Sequence, residues 1–337
     1  SPLPLGLAIY NPADWDYVTF LPIDEFDYGD DILSLMTDKS LSFKRTEIDN
    51  SWRGRLPYTP AKPTSSTRVL KQLLTRTLDM REICQAFSSG RLPFDWYVVT
   101  IHPKEREAKT PVARSFAIMT IEPRSFFCLL EDNLARKVFP FIPEQTMTMS
   151  QQTEEELFLK ITRPASKEVT LSIGIDLSKW CSHFRKHTVM MVADRLNQLL
   201  GVSNLYGSVH DFFKKCLIVL RHPAFTPKQD TKGKKGRLSD EPGIYSNAEI
   251  GIEGIQQKFW TLITLCMLHW AVWKYGLPYK ITCQGDNLVI HISVFSKGDE
   301  SLELFTGRIR RINQQVLVSI SNAAHMIGHD VNPDECF

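Results

Sequence analysis

The pattern of apolar and polar positions changes character along the chain. Residues 1–66 hold no sustained period. Pro, Asp and aromatic residues mix through DWDYVTFLPIDEFDYGDDIL and LPYTPAKPTSSTR, which predicts irregular structure with short helices. From Thr67 to Phe87 the positions Val69, Leu70, Leu73, Leu74, Leu78, Ile83 and Phe87 recur near helical spacing, and Ser88-Ser89-Gly90 supplies a stop. Trp96–Ile101 reads as a strand. A basic stretch runs from Lys104 to Arg114, and a mostly helical segment is expected from there to about Phe139.

The second half has clearer grammar. Val169–Ile175 alternates like a half-buried strand and ends at Asp176, with a helical pattern beginning after Ser178. Arg221–Asn247 is rich in Pro, Gly, Lys and Asp and reads as a mobile surface loop. Ile255–Tyr275 is an amphipathic helix stopped by Gly276 and Pro278. Tyr279–Cys283 and Leu288–Phe295 are strand patterns around Gly285-Asp286-Asn287, a hairpin signal. Ser301–Met326 is a final helix. This order suits many α+β folds and by itself selects none.

Composition narrows the class only a little. With 337 residues, 43% of them hydrophobic, the chain can bury a large core in one large domain or two ordinary ones. The net charge of +2 gives no global electrostatic signature of nucleic acid, so any such footprint must be local. The 7 cysteines are odd in number and never spaced Cys-x-x-Cys, which argues for reduced thiols in an intracellular protein. No apolar run reaches the roughly 20 residues a membrane span needs. The longest, around Leu262–Val272, is interrupted by Thr264, His269 and Trp270. The start lacks Met and a basic leader, and the end at Cys336-Phe337 is abrupt, so the chain reads as a piece of something longer.

The chemistry rests on carboxylates at predicted strand ends. Asp176 closes one strand and Asp286 sits at a hairpin tip. If those strands are neighbours, both emerge at one sheet edge, as two-metal phosphoryl transfer requires, with Asn287 adding a neutral oxygen. Each residue alone has a plainer reading. Gly-Asp-Asn makes a good turn anywhere, and an Asp after a strand often caps the next helix.

The ordered set carries more. Asp176-Leu177-Ser178-Lys179-Trp180 is followed by Gly251-Ile252-Glu253-Gly254-Ile255-Gln256-Gln257-Lys258-Phe259-Trp260-Thr261, then Gln284-Gly285-Asp286-Asn287, then Gly328-His329-Asp330-Val331-Asn332-Pro333-Asp334-Glu335. These resemble motifs A, B, C and the start of D of the large (L) RNA-dependent RNA polymerase proteins of nonsegmented negative-strand RNA viruses, the Mononegavirales, in wording similar to bornavirus-like members. Asp38-Lys39-Ser40, Lys104–Lys109 and Arg114-Ser115-Phe116-Ala117 also match the family pattern, so the resemblance runs through most of the chain.

The resemblance implies an α+β right-hand polymerase: fingers over residues 1–165, and a palm over 166–337 with a small antiparallel sheet packed on helices and a fingers insertion near 200–250. It implies that Asp176 and Asp286 hold two Mg²⁺ ions, with Mn²⁺ as a substitute, and that Asn287 supports them. It gives Gly251, Glu253, Gly254, Gln257 and Lys258 to positioning template and nucleotide. Lys104, Arg106, Lys109 and Arg114 would line the entry channel for nucleoside triphosphates, although Glu105 and Glu107 between them also fit a solvated loop. The implied partners are RNA template and product, a viral phosphoprotein and nucleoprotein-coated RNA, in the nucleus for bornavirus-like members or the cytoplasm.

Two departures stand out. The family normally has Gly where this chain has Ile250, and commonly Gln where it has Leu288. A β-branched residue tolerates positive φ poorly, and Leu removes a polar group beside the carboxylates. These departures support an alternative: a non-catalytic, polymerase-derived protein of an endogenous viral element that binds RNA or polymerase partners. Other features weigh less. The pairs His183/His187 and His325/His329 lack the Glu of a zinc motif and read as surface or half-buried residues. Trp260, Trp270 and Trp273 read as core, and Lys228–Arg237 as a solvated loop. The acidic run Asp24, Glu25, Asp27, Asp30 and Asp31 reads as solvated surface. No Walker-type loop and no Gly-x-Ser-x-Gly elbow is present.

Overall fold

The computed structural model describes residues 25–37, 39–53, 68–103, 115–162, 168–220, 237–298, 300–332 and 336. The basic stretch 104–114, with Lys104, Arg106, Lys109 and Arg114, lies outside them, as do Asp24, Asp38, residues 221–236 and residues 333–335.

The fold is mixed α+β. The described elements begin with helices α1 (Ile32–Leu35), α2 (Arg45–Trp52), α3 (Val69–Thr75) and α4 (Met80–Ser89), then strands β1 (Val98–Pro103) and β2 (Ser115–Met119). Helices α5 (Ile121–Asn133) and α6 (Gln151–Thr162) lead to β3 (Glu168–Ile175). Next come α7 (Trp180–His183), α8 (Lys186–Leu199), α9 (Ser208–Lys215), β4 (Leu217–Leu220) and β5 (Ile244–Tyr245). The chain continues through α10 (Gln257–Val272), β6 (Tyr279–Gln284), β7 (Asn287–Phe295) and α11 (Leu302–Met326). They fall into two compact units, each discontinuous in sequence.

The first unit takes the described residues of 20–133 and 185–256. Its sheet has the order β2-β1-β4-β5, with β1 antiparallel to β2 and parallel to β4. An aromatic cluster fills the helical side. Phe87 stacks on Phe126 at 3.7 Å between centroids, and Phe127, Phe212 and Phe213 pack around them. Rings at offset or edge contact add attraction beyond the area they bury. Asp79 caps α4 by accepting from the Glu82 N–H, and Gly90 ends it in the left-handed conformation at φ 67°.

The second unit takes residues 134–184 and 257–337. Its three-stranded antiparallel sheet has the order β3-β7-β6. Side chains alternate between faces, so Ile173, Ile175, Ile281, Cys283, Leu288, Ile290 and Ile292 share one. All seven are 0–4% exposed. Tyr279, on that same face, meets His269 of α10 at 2.9 Å. Ser319 of α11 bonds the Ala271 carbonyl of α10 at 2.8 Å.

Several elements differ from the sequence expectation. Residues 115–119, expected helical, form β2, because pairing with β1 outweighs the local propensity of five residues. The periodic run from Thr67 breaks between α3 and α4. The run after Ser178 likewise splits into α7 and α8. Of the expected loop 221–247, the described part contains β5, which pairs with β4. Trp260 is fully buried, whereas Trp270 and Trp273 are 45% and 39% exposed and are not core. His329 is fully buried rather than superficial.

Leu288 lies between Ile175 and Cys283 on the apolar face and is 2% exposed. It is therefore a core residue rather than a neighbour of the polar edge. Leu288→Gln should cost about 1–3 kcal/mol in urea unfolding, because a primary amide would be buried in place of a methyl-bearing side chain. Leu288→Met should cost less.

His210 of α9 is 3% exposed and neither ring nitrogen finds a partner. Burial first, then the Arg185 guanidinium, lowers its pKa from 6.5 to about 4. The unfolded chain therefore takes up a proton near 6.5 that the folded chain refuses until about 4. Stability tied to His210 is intact above the higher value and falls with pH across that window. Unfolding compared at pH 7 and pH 4.5 should show His210→Phe with about 2 kcal/mol less acid loss than wild type. An equal loss in both proteins would refute this.

Candidate active site

The hairpin between β6 and β7 has the shortest practical loop. Gln284 pairs with Asn287, leaving Gly285 and Asp286 as its two loop residues. Gly285 has φ 68°, and Asp286 is not among the described residues with positive φ. A positive φ at the first loop residue alone is the pattern of a type II′ turn, where glycine is favoured. A Cβ on Gly285 would meet the Trp180 ring at an ordinary 3.7 Å, so conformation rather than crowding calls for glycine here.

The register brings the strand-end carboxylate to this turn. Ile175 of β3 pairs with Leu288 of β7. One residue further along each strand stand Asp176 and Asn287, with Asp286 next in the loop. By alternation Asp176 and Asn287 belong to the face opposite the apolar one. Asp176 is half-buried, and Asp286 and Asn287 are exposed.

Side chains from three other segments hold this edge. Thr261 Oγ1 of α10 accepts the Gly285 N–H at 3.2 Å and donates to the Gln257 carbonyl at 2.7 Å. Trp180 Nε1 donates to Thr264 Oγ1 at 3.0 Å, and its ring lies edge-on to Trp260 at 6.0 Å. Lys179, at φ 49°, turns the chain sharply between Asp176 and this tryptophan. His329 Nε2 lies 3.0 Å from the Trp180 carbonyl, and its ring lies 4.5 Å from Phe184. Residues 330–332 run beside the end of β3. The Ser178 N–H donates to Asp330 O and the Asn332 N–H to Asp176 O, both at 2.9 Å.

The donor chemistry of the edge fits a hard divalent cation. Two carboxylates and an amide offer oxygen ligands, which magnesium requires. Cys283, beside them in sequence, offers no thiolate, because burial and then the charge of Asp286 push its thiol well above the ordinary value. Among the described residues no group of three or more His, Cys, Asp or Glu is arranged to hold a metal. The histidine pairs do not keep helical spacing. α7 ends at His183 and α8 begins at Lys186, while α11 ends at Met326, before His329.

Of the other expected site residues, Gln257 is exposed and Lys258 half-exposed on the first turn of α10, one turn before Thr261. Gly251, Glu253 and Gly254 belong to the other compact unit. There Gly254 has φ 84° with no atom within 4 Å of a built Cβ, so its backbone conformation needs glycine and the space around it is open. Ile250 is not among the described residues with positive φ, so its β-branch meets no backbone penalty. Trp180, Thr261, Thr264 and His329 were not assigned roles from sequence. Their hydroxyls and rings carry no periodic signal, and only tertiary contacts reveal them.

Comparison with known proteins adds the lineage. A family model described as Mononegavirales RNA dependent RNA polymerase matches residues 1–337. The "RNA-directed RNA polymerase L" of Lettuce necrotic yellows virus is 27% identical over 324 residues, covering 93% of this chain and 15% of that protein. That of Sonchus yellow net virus is 27% identical over 290 residues, covering 85% and 13%. The "Large structural protein" of Rabies virus (strain HEP-Flury) is 28% identical over 287 residues, covering 82% and 13%. The chain thus spans about a seventh of the length of these relatives. By its motifs, and by a match along its full length, the chain belongs to the Mononegavirales RNA-dependent RNA polymerase family.

Proposed function

We propose that this chain is the fingers-and-palm portion of an RNA-dependent RNA polymerase and performs nucleotidyl transfer at the edge of β3 and β7. The single observation that carries the reading is the register that sets Asp176 beside the Asp286-Asn287 turn. In the reaction an RNA 3′-hydroxyl attacks the α-phosphate of a nucleoside triphosphate and pyrophosphate leaves. Asp176 and Asp286 would hold two magnesium ions, or manganese, which when bound supply Lewis-acid chemistry at the hydroxyl and the triphosphate. Asn287 adds a neutral oxygen donor, and Gly285 and Thr261 fix the turn that presents both residues.

The three-stranded sheet with α10 and α11 corresponds to a palm, and residues near 200–250 to a fingers insertion. Gly251, Glu253 and Gly254 would position template and nucleotide, with Gln257 and Lys258 at the start of α10. Lys104, Arg106, Lys109 and Arg114 would neutralise the triphosphate. Template and product RNA, a phosphoprotein and nucleoprotein-coated RNA are the proposed partners. Bornavirus-like placement, and with it a nuclear site of action rather than a cytoplasmic one, rests on motif wording. Among the described residues no helix is long and apolar enough to cross a membrane.

A non-catalytic, polymerase-derived endogenous viral protein is the second reading, resting on Ile250 and Leu288. Both positions bear on support rather than on ligands: Ile250 has no positive φ and Leu288 is in the core.

The purified chain, given a short primer–template RNA and Mg²⁺ or Mn²⁺, should add a single nucleotide. Asp176→Asn and Asp286→Asn should each reduce that addition at least about a hundredfold. Full activity in Asp286→Asn would refute the assignment. If the isolated chain is silent, the same variants are read in a full-length chimera with a relative. Thr261→Val removes the acceptor of the Gly285 N–H. It should destabilise the chain by about 1–2 kcal/mol and slow nucleotide addition, while Thr261→Ser restores both. Unchanged stability and rate in Thr261→Val would show that the bond does not hold the turn.

A further inference from the structure

The polar face of the β3-β7-β6 sheet holds a second feature behind the carboxylate edge. Its cross-strand rows follow from the register. The row next to the edge is Gly174, Val289 and Thr282, and the one after it is Ser172, His291 and Lys280. The first of these rows carries no charge and no large polar side chain. The second does. Lys280 is exposed and has no carboxylate partner among the described residues. His291 is 6% exposed and sits between its two row partners, with Ser172 Oγ 2.8 Å from Nδ1 and no partner at Nε2. The nearest acid by register on this face, Glu168, stands two rows further from the edge.

Four strand residues separate the Lys280 row from the edge, a distance of about 13 Å. A strand whose 3′ end lies at the carboxylates and which follows this face crosses an uncharged, low row and then meets a free ammonium. An unpaired lysine beside a serine and a histidine suits a phosphodiester, which a single point charge can satisfy without a fixed fork. The flat row before it lets a backbone approach closely.

We infer that Lys280, flanked by His291 and Ser172, contacts the phosphodiester backbone of the product RNA strand behind the reacting end. The inference rests on the polymerase reading and adds to it a binding site on the sheet face. Burial, and then the Lys280 charge, lowers the His291 pKa, so at neutral pH the ring is uncharged and Lys280 is the cation of the row.

The test is binding rather than extension, so it can fail independently of the carboxylates. Affinity of the whole chain for a short RNA primer–template is measured by fluorescence anisotropy across a salt series. Lys280→Ala should weaken binding and make the slope of log K against log salt shallower by about 0.7–0.9, one phosphate contact. Lys280→Arg should keep the wild-type slope. Lys274→Ala, which removes a lysine packed over Trp270, serves as the control for a general loss of charge and should leave the slope unchanged. An unchanged slope in Lys280→Ala, an equal change in Lys274→Ala, or no RNA binding by the wild-type chain would each overturn the site. Nucleotide addition lost in Asp286→Asn would still stand on its own.

Discussion

The period of two along a strand, locked by a buried face, is the constraint on which the site depends. Ile173, Ile175, Leu288, Ile290 and Ile281 all sit on one side of the second unit's sheet and are buried to within a few per cent. A slip of one residue between β3 and β7 would turn that whole set to water and send Asp176 and Asn287 toward the core. The position of the candidate ligands is therefore enforced by residues that never touch them. The hydrophobic face fixes the register, and the register brings the carboxylates together.

Polar contacts then refine what the register sets. Thr261 uses its single hydroxyl twice, donating to Gln257 and accepting from Gly285. Trp180 spans from the turn after β3 to Thr264 and lies against Gly285. His329 meets the Trp180 carbonyl from the far end of the chain. These groups are buried, so each unmade bond would carry a full desolvation penalty. Segments separated by up to 149 residues are thus tied by contacts that are costly to break. That stiffness is what a site needs when its catalysis depends on placement.

How legible all this was varied with the source of the information. β3, the hairpin strands, α10 and α11 could be read because each repeats one rule over six or more residues: alternation, helical period, or a turn bounded by two strands. Ser301 even marks the start of α11 by accepting the Leu304 N–H. β2 and β5 were not readable, since five and two residues carry too little pattern and only pairing with β1 and β4 makes them strands. Asp176 and Asp286 could be named as a pair from sequence, but their shared edge is a fact of register. Trp180, Thr261 and His329 had no local signal, because a residue that acts through one long-range contact leaves no period behind. The tryptophans of α10 misled in the opposite direction. Trp260 is buried while Trp270 and Trp273 reach the surface, because the helix presents different sides as it leaves the core.

The two departures from the family pattern can now be weighed by where they fall. A substitution at a ligand removes chemistry, whereas one in the supporting structure alters stability. Leu288 sits on the apolar face, where a larger apolar surface is favourable and an amide is not. Ile250 lies where the backbone has no positive φ, so the loss of a glycine there imposes no strain. Asp286 and Asn287, by contrast, are exposed and contribute little to folding, and carboxylates sharing one edge repel each other. Stability alone gives no reason for that concentration of oxygen donors at the end of a sheet whose other face is packed with isoleucine. A chain shaped only to fold would place charge where it costs less, and the edge is better explained by the ions and phosphates it would meet.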